Sequence, residues 1–169
     1  MKKMKLTKAS ILLYIMTFFL IVIADQITKI IISDSMQLSS SQTIIDNFLY
    51  FTYVHNYGAA WGILQGKTNL FLLIAIISAI GMVYYFINTE EKEVLTRYGL
   101  VLTFAGMIGN VIDRGYFGYV RDFIDVVIFG FDFAIFNIAD MAIVIGVGLL
   151  IFEIILGEFI YGKRKKDSC

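Results

Sequence analysis

The sequence predicts a mainly α membrane protein: four transmembrane helices, a small extracytoplasmic β-sheet, and a short outer loop between the third and fourth helices. Three observations lead there. Apolar residues make up 59% of the 169-residue chain and charged residues 17%, with a mean hydropathy of +0.78. Ordinary soluble domains are about 45–50% apolar and about 25% charged, so this chain is too poor in polar residues to cover its apolar surface in water. The apolar residues also gather into four stretches near the length of about 20 residues that crosses a bilayer core. Finally, a run rich in β-branched and aromatic residues separates the first stretch from the second.

The first span covers about 9–32. Ala9–Ile23 is uncharged, and the run continues past Asp25 to Ile32. Its basic start (Lys2, Lys3, Lys5, Lys8) has the look of a secretory leader. Val22-Ile23-Ala24 lacks the small-x-small exit, however, and the run reaches a full span, so the helix is read as retained. The second span, about 69–87, carries no charge. The third, about 94–112, holds only Arg97 near its start. The fourth, about 133–160, is interrupted by Asp140 and Glu153. Proline is absent, so no ring breaks any of them.

Between the first two spans lies the outer β-rich segment 33–68. Within it Ile44–Asn56 (IIDNFLYFTYVHN) has strand character, bounded by a Ser-rich stretch and by Gly58. Unpaired strand backbone cannot sit in lipid, so a small sheet at the outer surface is expected. Lys and Arg set the orientation. Ten of the 14 lie at the N-terminus, in the 88–98 loop or at the C-terminus; Lys29, Lys67, Arg114 and Arg121 lie on the other side. The positive-inside rule then places both termini in the cytoplasm and segments 33–68 and 113–132 outside. Residues 1–169 read as one domain.

Composition removes several chemistries. A net charge of zero gives no global field for nucleic acid. Cys169 alone forms no internal disulfide, and His55 alone excludes an HExxH metal site.

The remaining polar residues converge. Asp25 lies 16 residues beyond Ala9, and Asp113 lies 19 beyond Val94. Asp140 lies 20 before Ile160 on the descending helix. At about 1.5 Å per residue these are about 24, 28 and 30 Å, close to the core thickness. All three acids therefore sit near the outer boundary, with Lys29, Asn56, Arg114, Asp122 and Asn137 on the same side. Ionisable groups there are costly unless paired or hydrated, which marks them as functional candidates.

The motifs that hold these residues resemble one family. They are Asp25-Gln-Ile-Thr-Lys29, His55 through Gly62 (HNYGAAWG), Gly106 through Arg114 (GMIGNVIDR), Val120-Arg121-Asp122-Phe123, and Phe136-Asn137-Ile138-Ala139-Asp140. In this order and spacing across four spans, the chain is similar to bacterial lipoprotein signal peptidase, or signal peptidase II. One departure is Phe133-Ala134-Ile135, where a proline is expected before the FNxAD box; its absence would loosen the approach to helix four.

The resemblance implies a catalytic pair, Asp122 just after helix three and Asp140 at the top of helix four. It implies cleavage of prolipoproteins on the amino side of a diacylglyceryl-cysteine, in the cell membrane, by a monomer in contact with membrane lipids and without metal or organic cofactor. Two close carboxylates share one proton: one activates water while the other donates to the developing oxyanion. Supporting roles follow by residue. Asn110 and Arg114 would hold backbone near the top of helix three. Asn137, three residues before Asp140, would orient it from the same helix face. Asn56 would bind substrate backbone, and Gly58 and Gly106 permit close backbone approach. Asp25 and Lys29, at i and i+4, read as a structural ion pair, and Asp113-Arg114 as structural too. His55 reads as a sheet histidine and Trp61 as an interfacial anchor. Glu153 reads as a pairing or snorkelling residue of the cytoplasmic half.

Two other classes fit less well. A proton or cation channel would spread acids through the bilayer depth. A noncatalytic assembly factor would tolerate loss of Asp122 or Asp140.

Overall fold

The computed structural model describes residues 7–59, 63–90 and 93–166, with side chains described to residue 156. Trp61 and Cys169 lie outside the described residues. Four helices are long and apolar enough to cross a membrane: α1 (Lys8–Ser35), α2 (Thr68–Asn88), α3 (Val94–Phe117) and α4 (Ile138–Lys166). The chain is a multi-pass membrane protein.

Each helix shows in its exposure pattern what solvates it. α1 starts where Thr7 Oγ1 accepts the Ser10 N–H at 3.1 Å, an N-cap. Beyond its buried Tyr14, Asp25, Lys29 and Ile32, it turns leucines and isoleucines outward all round. Among the described residues of α2 only Ala75 is buried. Apolar exposure on this scale is what lipid covers. α3 is the most buried helix and the centre of the bundle. Arg97, at its start, is buried because Nε and Nη2 turn back to the last carbonyls around α2, those of Glu90 and Thr89, while the guanidinium lies 5.3 Å from the Phe86 ring centre. α3 and α4 meet backbone to backbone. A Cβ on Gly99 would stand 2.8 Å from the Gly146 carbonyl oxygen, and one on Gly106 would run into that of Ala139. Small residues permit this approach where the hydrophobic effect gives no attraction between helices.

Segments 33–68 and 113–132 both contribute to one four-stranded antiparallel sheet among the described residues, ordered β1 (Ser41–Ile45), β2 (Leu49–Asn56), β3 (Val120–Ile128) and β4 (Phe131–Asp132). β2 and β3 pair from Leu49↔Val126 to Asn56↔Val120, with an irregularity between Phe51 and Val54. The sheet rests on the helix ends through Ile32, Tyr53 and Phe123, with Met36, Phe51, Ile124 and Ile138 packed around them.

The region between helices three and four therefore differs from the expected loop. Helix three runs on to Phe117 and stops at Gly118, whose φ of +81° is a left-handed C-cap. Val120–Ile128 is a strand, so the sheet is not confined to 33–68. Helix four begins at Ile138 rather than 133. Residues 133–137 are not helical, and Phe136 bridges to Ile124. A short apolar run is equally compatible with strand and helix, and the open edge of β2 decides in favour of the strand.

Candidate active site

Two groups of acids occupy the end of the bundle that carries the sheet. The first is a buried ion network. Lys29 Nζ lies 2.9 Å from Asp25 Oδ2 and 3.5 Å from Asp113 Oδ2. Arg121 donates from Nη2 to Asp113 Oδ1 at 2.8 Å, and from Nε and its backbone N–H to Oδ2 at 3.1 and 3.0 Å. Asp25 turns its other oxygen to the Ala139 N–H at 2.9 Å, so it also compensates the positive N-terminal end of α4. Gln26 closes the set, donating to Asp25, Asp113 and the Gly109 carbonyl and accepting from Arg121. Asp25, Lys29 and Asp113 are each 0% exposed. Two cations face two anions, the condition under which buried charges are tolerated.

The second group is Asp122 and Asp140, held by uncharged donors. Asp122 Oδ2 accepts from Asn56 Nδ2 at 2.8 Å, and Oδ1 from Asn137 Nδ2 at 2.6 Å. Asp140 Oδ1 accepts from Asn110 Nδ2 at 2.7 Å, and Oδ2 from the Asn137 N–H at 3.2 Å. Asn137 Oδ1 in turn accepts the Asp140 N–H at 3.0 Å. That reciprocal pair is a capping box, so Asn137 orients Asp140 as the N-cap of α4 and not from a shared helix face. It also pins the approach to helix four, which needs no proline for the purpose.

The two groups are joined at Asn110. Its Oδ1 accepts from Lys29 Nζ at 3.0 Å and from Asn137 Nδ2 at 3.2 Å. With both acceptor directions filled by donors, its amide nitrogen must face Asp140. Burial, then the neighbouring Asp140, push Asp122 up to about 7. A carboxyl in that range carries a proton part of the time at neutral pH.

Both aspartates line a cavity of about 550 Å³ with Asn56, Asn110 and Arg114 on one side and Met141, Val144 and Ile145 of α4 on another. Arg114 donates to the Gly58 carbonyl at 2.8 Å, tying the segment after β2 to helix three. The Gly58 N–H donates to Asn56 Oδ1 at 2.9 Å, which leaves the Asn56 amide nitrogen for Asp122. Gly109 lies against the Asp25 carboxylate. His55 is on β2, on the alternate side from Asn56; it meets Tyr53 Oη through Nε2 at 2.9 Å and stacks on Tyr119 at 3.7 Å.

The residues singled out from sequence thus fall together, but in two groups. Reading the sequence missed Arg121 and Gln26 as members of the ion network. Arg121 is eight positions from its partner Asp113, across the helix end and the start of β3, a separation that signals no contact. Gln26 adjoins Asp25 inside a quoted motif, and that adjacency was the one available clue.

Residues 17–156 match the family model described as signal peptidase (SPase) II. A lipoprotein signal peptidase of a bovine strain of Staphylococcus aureus is 48% identical over 80% of this chain and 83% of its own length. Another from the same species is 45% identical over 88% of each. Two solved bacterial membrane enzymes, both obtained by the in meso method, share the fold. One has a TM-score of 0.82 at 45% identity, covering 85% of this chain and 88% of its own. The other has a TM-score of 0.80 at 43%, covering 91% and 97%. On the fold, the motif order and these matches, the chain belongs to the signal peptidase II family.

Proposed function

We propose that this chain is a membrane aspartyl endopeptidase that removes the signal peptide from diacylglyceryl-modified prolipoproteins, with Asp122 and Asp140 as its catalytic pair. The observation that carries the reading is the difference in partners. Of the four acids Asp25, Asp113, Asp122 and Asp140, the last two alone have only amide donors and open on the cavity. The signal peptidase II family and its lipoprotein signal peptidase relatives supply the substrate class.

The chemistry follows from one shared proton. The ionised carboxylate takes a proton from water as the water oxygen adds to the scissile carbonyl carbon. The protonated partner donates to the carbonyl oxygen, which would otherwise carry full negative charge. The tetrahedral adduct then collapses, the C–N bond breaks, and the amine leaves with a proton returned from the pair. The pair titrates as a unit, so neither residue holds the acid or base role alone. Asn56, Asn110 and Asn137 hold the carboxylates while leaving each oxygen a lone pair for water or substrate. The mechanism needs neither metal nor organic cofactor.

The location suits the substrate. A diacylglyceryl-cysteine stays at the bilayer surface through its acyl chains. A pair carried by the start of β3 and the first turn of α4, on the outer side with both termini cytoplasmic, meets it there. The apolar wall of Met141, Val144 and Ile145 leaves a path within the bilayer for the signal helix.

The test is cleavage of a diacylglyceryl-modified prolipoprotein by purified protein in detergent. Wild type cleaves before the lipidated cysteine, and Asp122→Asn and Asp140→Asn each do not. Full activity in either variant would sink the assignment of the pair.

A further inference from the structure

The end of the sheet farthest from the aspartate pair carries an apolar rim. β3 begins beside the pair and ends at Ile128, where the chain turns through Phe129-Gly130 into β4. Both turn residues have positive φ, +51° and +81°. Two-residue hairpin turns of this kind favour Asn-Gly or Asp-Gly, because a bulky side chain is strained at the first position. Phenylalanine gains no packing there in exchange: Phe129 is 98% exposed and Phe131 80%. The β1–β2 turn lies alongside, tied by the Val127 N–H donating to the Phe48 carbonyl at 2.9 Å. That turn exposes Ile44, Ile45 and Phe48, while Ile128 is exposed beside Phe129. No lysine or arginine occurs in 44–48 or 126–132, where the only charged residues are the exposed Asp46 and Asp132.

What covers this rim follows from the segment that leads back from it. Phe133, Ala134 and Ile135 line the same cavity as Val144 and Ile145. Those two residues lie about 10 Å along α4 from its start, by the rise of a helix. They are within the membrane-crossing stretch Ile138–Leu156, and Val144 is 71% exposed. The segment returning from β4 therefore shares a cavity with α4 residues about two turns past the start of that helix. Exposed Phe131 and Phe133 carry the apolar surface of the rim toward exposed Val144 and Ile145 of α4. Phenylalanine and isoleucine without cations suit the acyl boundary, not phosphate headgroups.

We propose that Ile44, Ile45, Phe48, Ile128, Phe129 and Phe131 insert into the leaflet on the active-site side, so that lipid anchors the far end of the sheet and fixes the height of β3. This goes beyond the peptidase reading and does not depend on it.

The test reads lipid contact directly. Trp61 is the only tryptophan. In a Trp61→Phe background, Phe129→Trp and Phe131→Trp are each placed in nanodiscs of phosphatidylcholine brominated at shallow or deep acyl positions. Ile77→Trp on the lipid-facing side of α2, 61% exposed, is the positive control. The expected result is blue-shifted emission at both rim positions and loss of most of it in shallow-brominated lipid. Two results would overturn the proposal. One is water-like emission at both positions, indifferent to bromine, while Ile77→Trp is quenched. The other is shielding from bromine that vanishes at one protein copy per nanodisc, which would mean that a second copy covers the rim. Two rim positions guard against one variant misfolding, and quenching is independent of cleavage activity.

Discussion

The ion network and the aspartate pair hold the same residue type at the same level of the bundle, yet their surroundings differ in one respect. Asp25 and Asp113 share the buried cations Lys29 and Arg121. Asp122 and Asp140 receive hydrogen bonds only from asparagines. A carboxylate locked against a guanidinium stays ionised and can neither take nor give a proton in the working range. An amide neighbour orients a carboxyl without fixing its charge. The protein thus uses charge pairing to build the sheet end of the bundle and withholds it from the two acids that are proposed to carry protons. Asn110 touches both groups and passes the rigidity of one to the geometry of the other.

The largest expected effect tests that division directly. Asp122→Asn or Asp140→Asn keeps the shape and removes the titrating group, and cleavage should fall at least about 10²–10⁴-fold, the range of acid–base catalysis. Thermal unfolding in detergent should show both variants folded, with Asp122→Asn at least as stable as wild type at neutral pH, because burial and Asp140 disfavour the ionised Asp122 carboxyl. Asp113→Asn should do the reverse. It strips Arg121 of its counterion and should cost about 3–5 kcal/mol, the usual result of breaking a buried pair. Denaturant unfolding measures this, while the rate per folded molecule at low temperature changes little. If Asp113→Asn instead spared stability and removed activity, the two groups would not be distinct.

Asn110→Ala is the next step down. It removes one hydrogen bond to Asp140, worth about 1.5–3 kcal/mol for a charged acceptor, so kcat should fall about 10–150-fold. A fall in stability alone, with kcat unchanged, would show that Asn110 serves only the ion network.

The smallest effect is on pH. Asp122 has a folded pKa near 7 against an ordinary value of 3.8. As pH rises through about 7 the shared proton is lost, and cleavage should halve there and fall further above it. The stability consequence has a definite sign. A raised carboxyl pKa favours folding below the unfolded value, and that contribution is lost as pH rises through the folded one. Wild type should therefore lose stability between about pH 4 and pH 7 relative to Asp122→Asn, which lacks the titration. Parallel melting curves for the two proteins across that range would contradict it.

Much of this was legible in the chain before folding. Four lipid-crossing runs, the gathering of acids toward one end of the bundle and the i, i+4 pair Asp25–Lys29 all follow from local spacing. The strand Ile44–Asn56 was also visible, and it corresponds to β1 and β2. Val120–Ile128 was not, because an apolar run beside a helix has no period that separates strand from loop. The fourth helix was placed too early for the same reason: Phe133–Phe136 is as apolar as the helix it precedes, and only its bridge to Ile124 makes it extended.

The sequence by itself determined the solvent, the number of crossings and the gathering of Asp25, Asp113 and Asp140 toward one end of the spans. Each depends on run length and rise per residue, which are properties of a single stretch of chain. Which acids meet a cation and which meet only amides was decided by the tertiary structure. Asn56 reaches Asp122 across 66 residues and Asn110 reaches Asp140 across 30. Those contacts exist because β2 pairs with β3 and because glycines let α3 lie against α4. The charge state of a buried carboxyl is set by whatever those distant elements bring within hydrogen-bond reach.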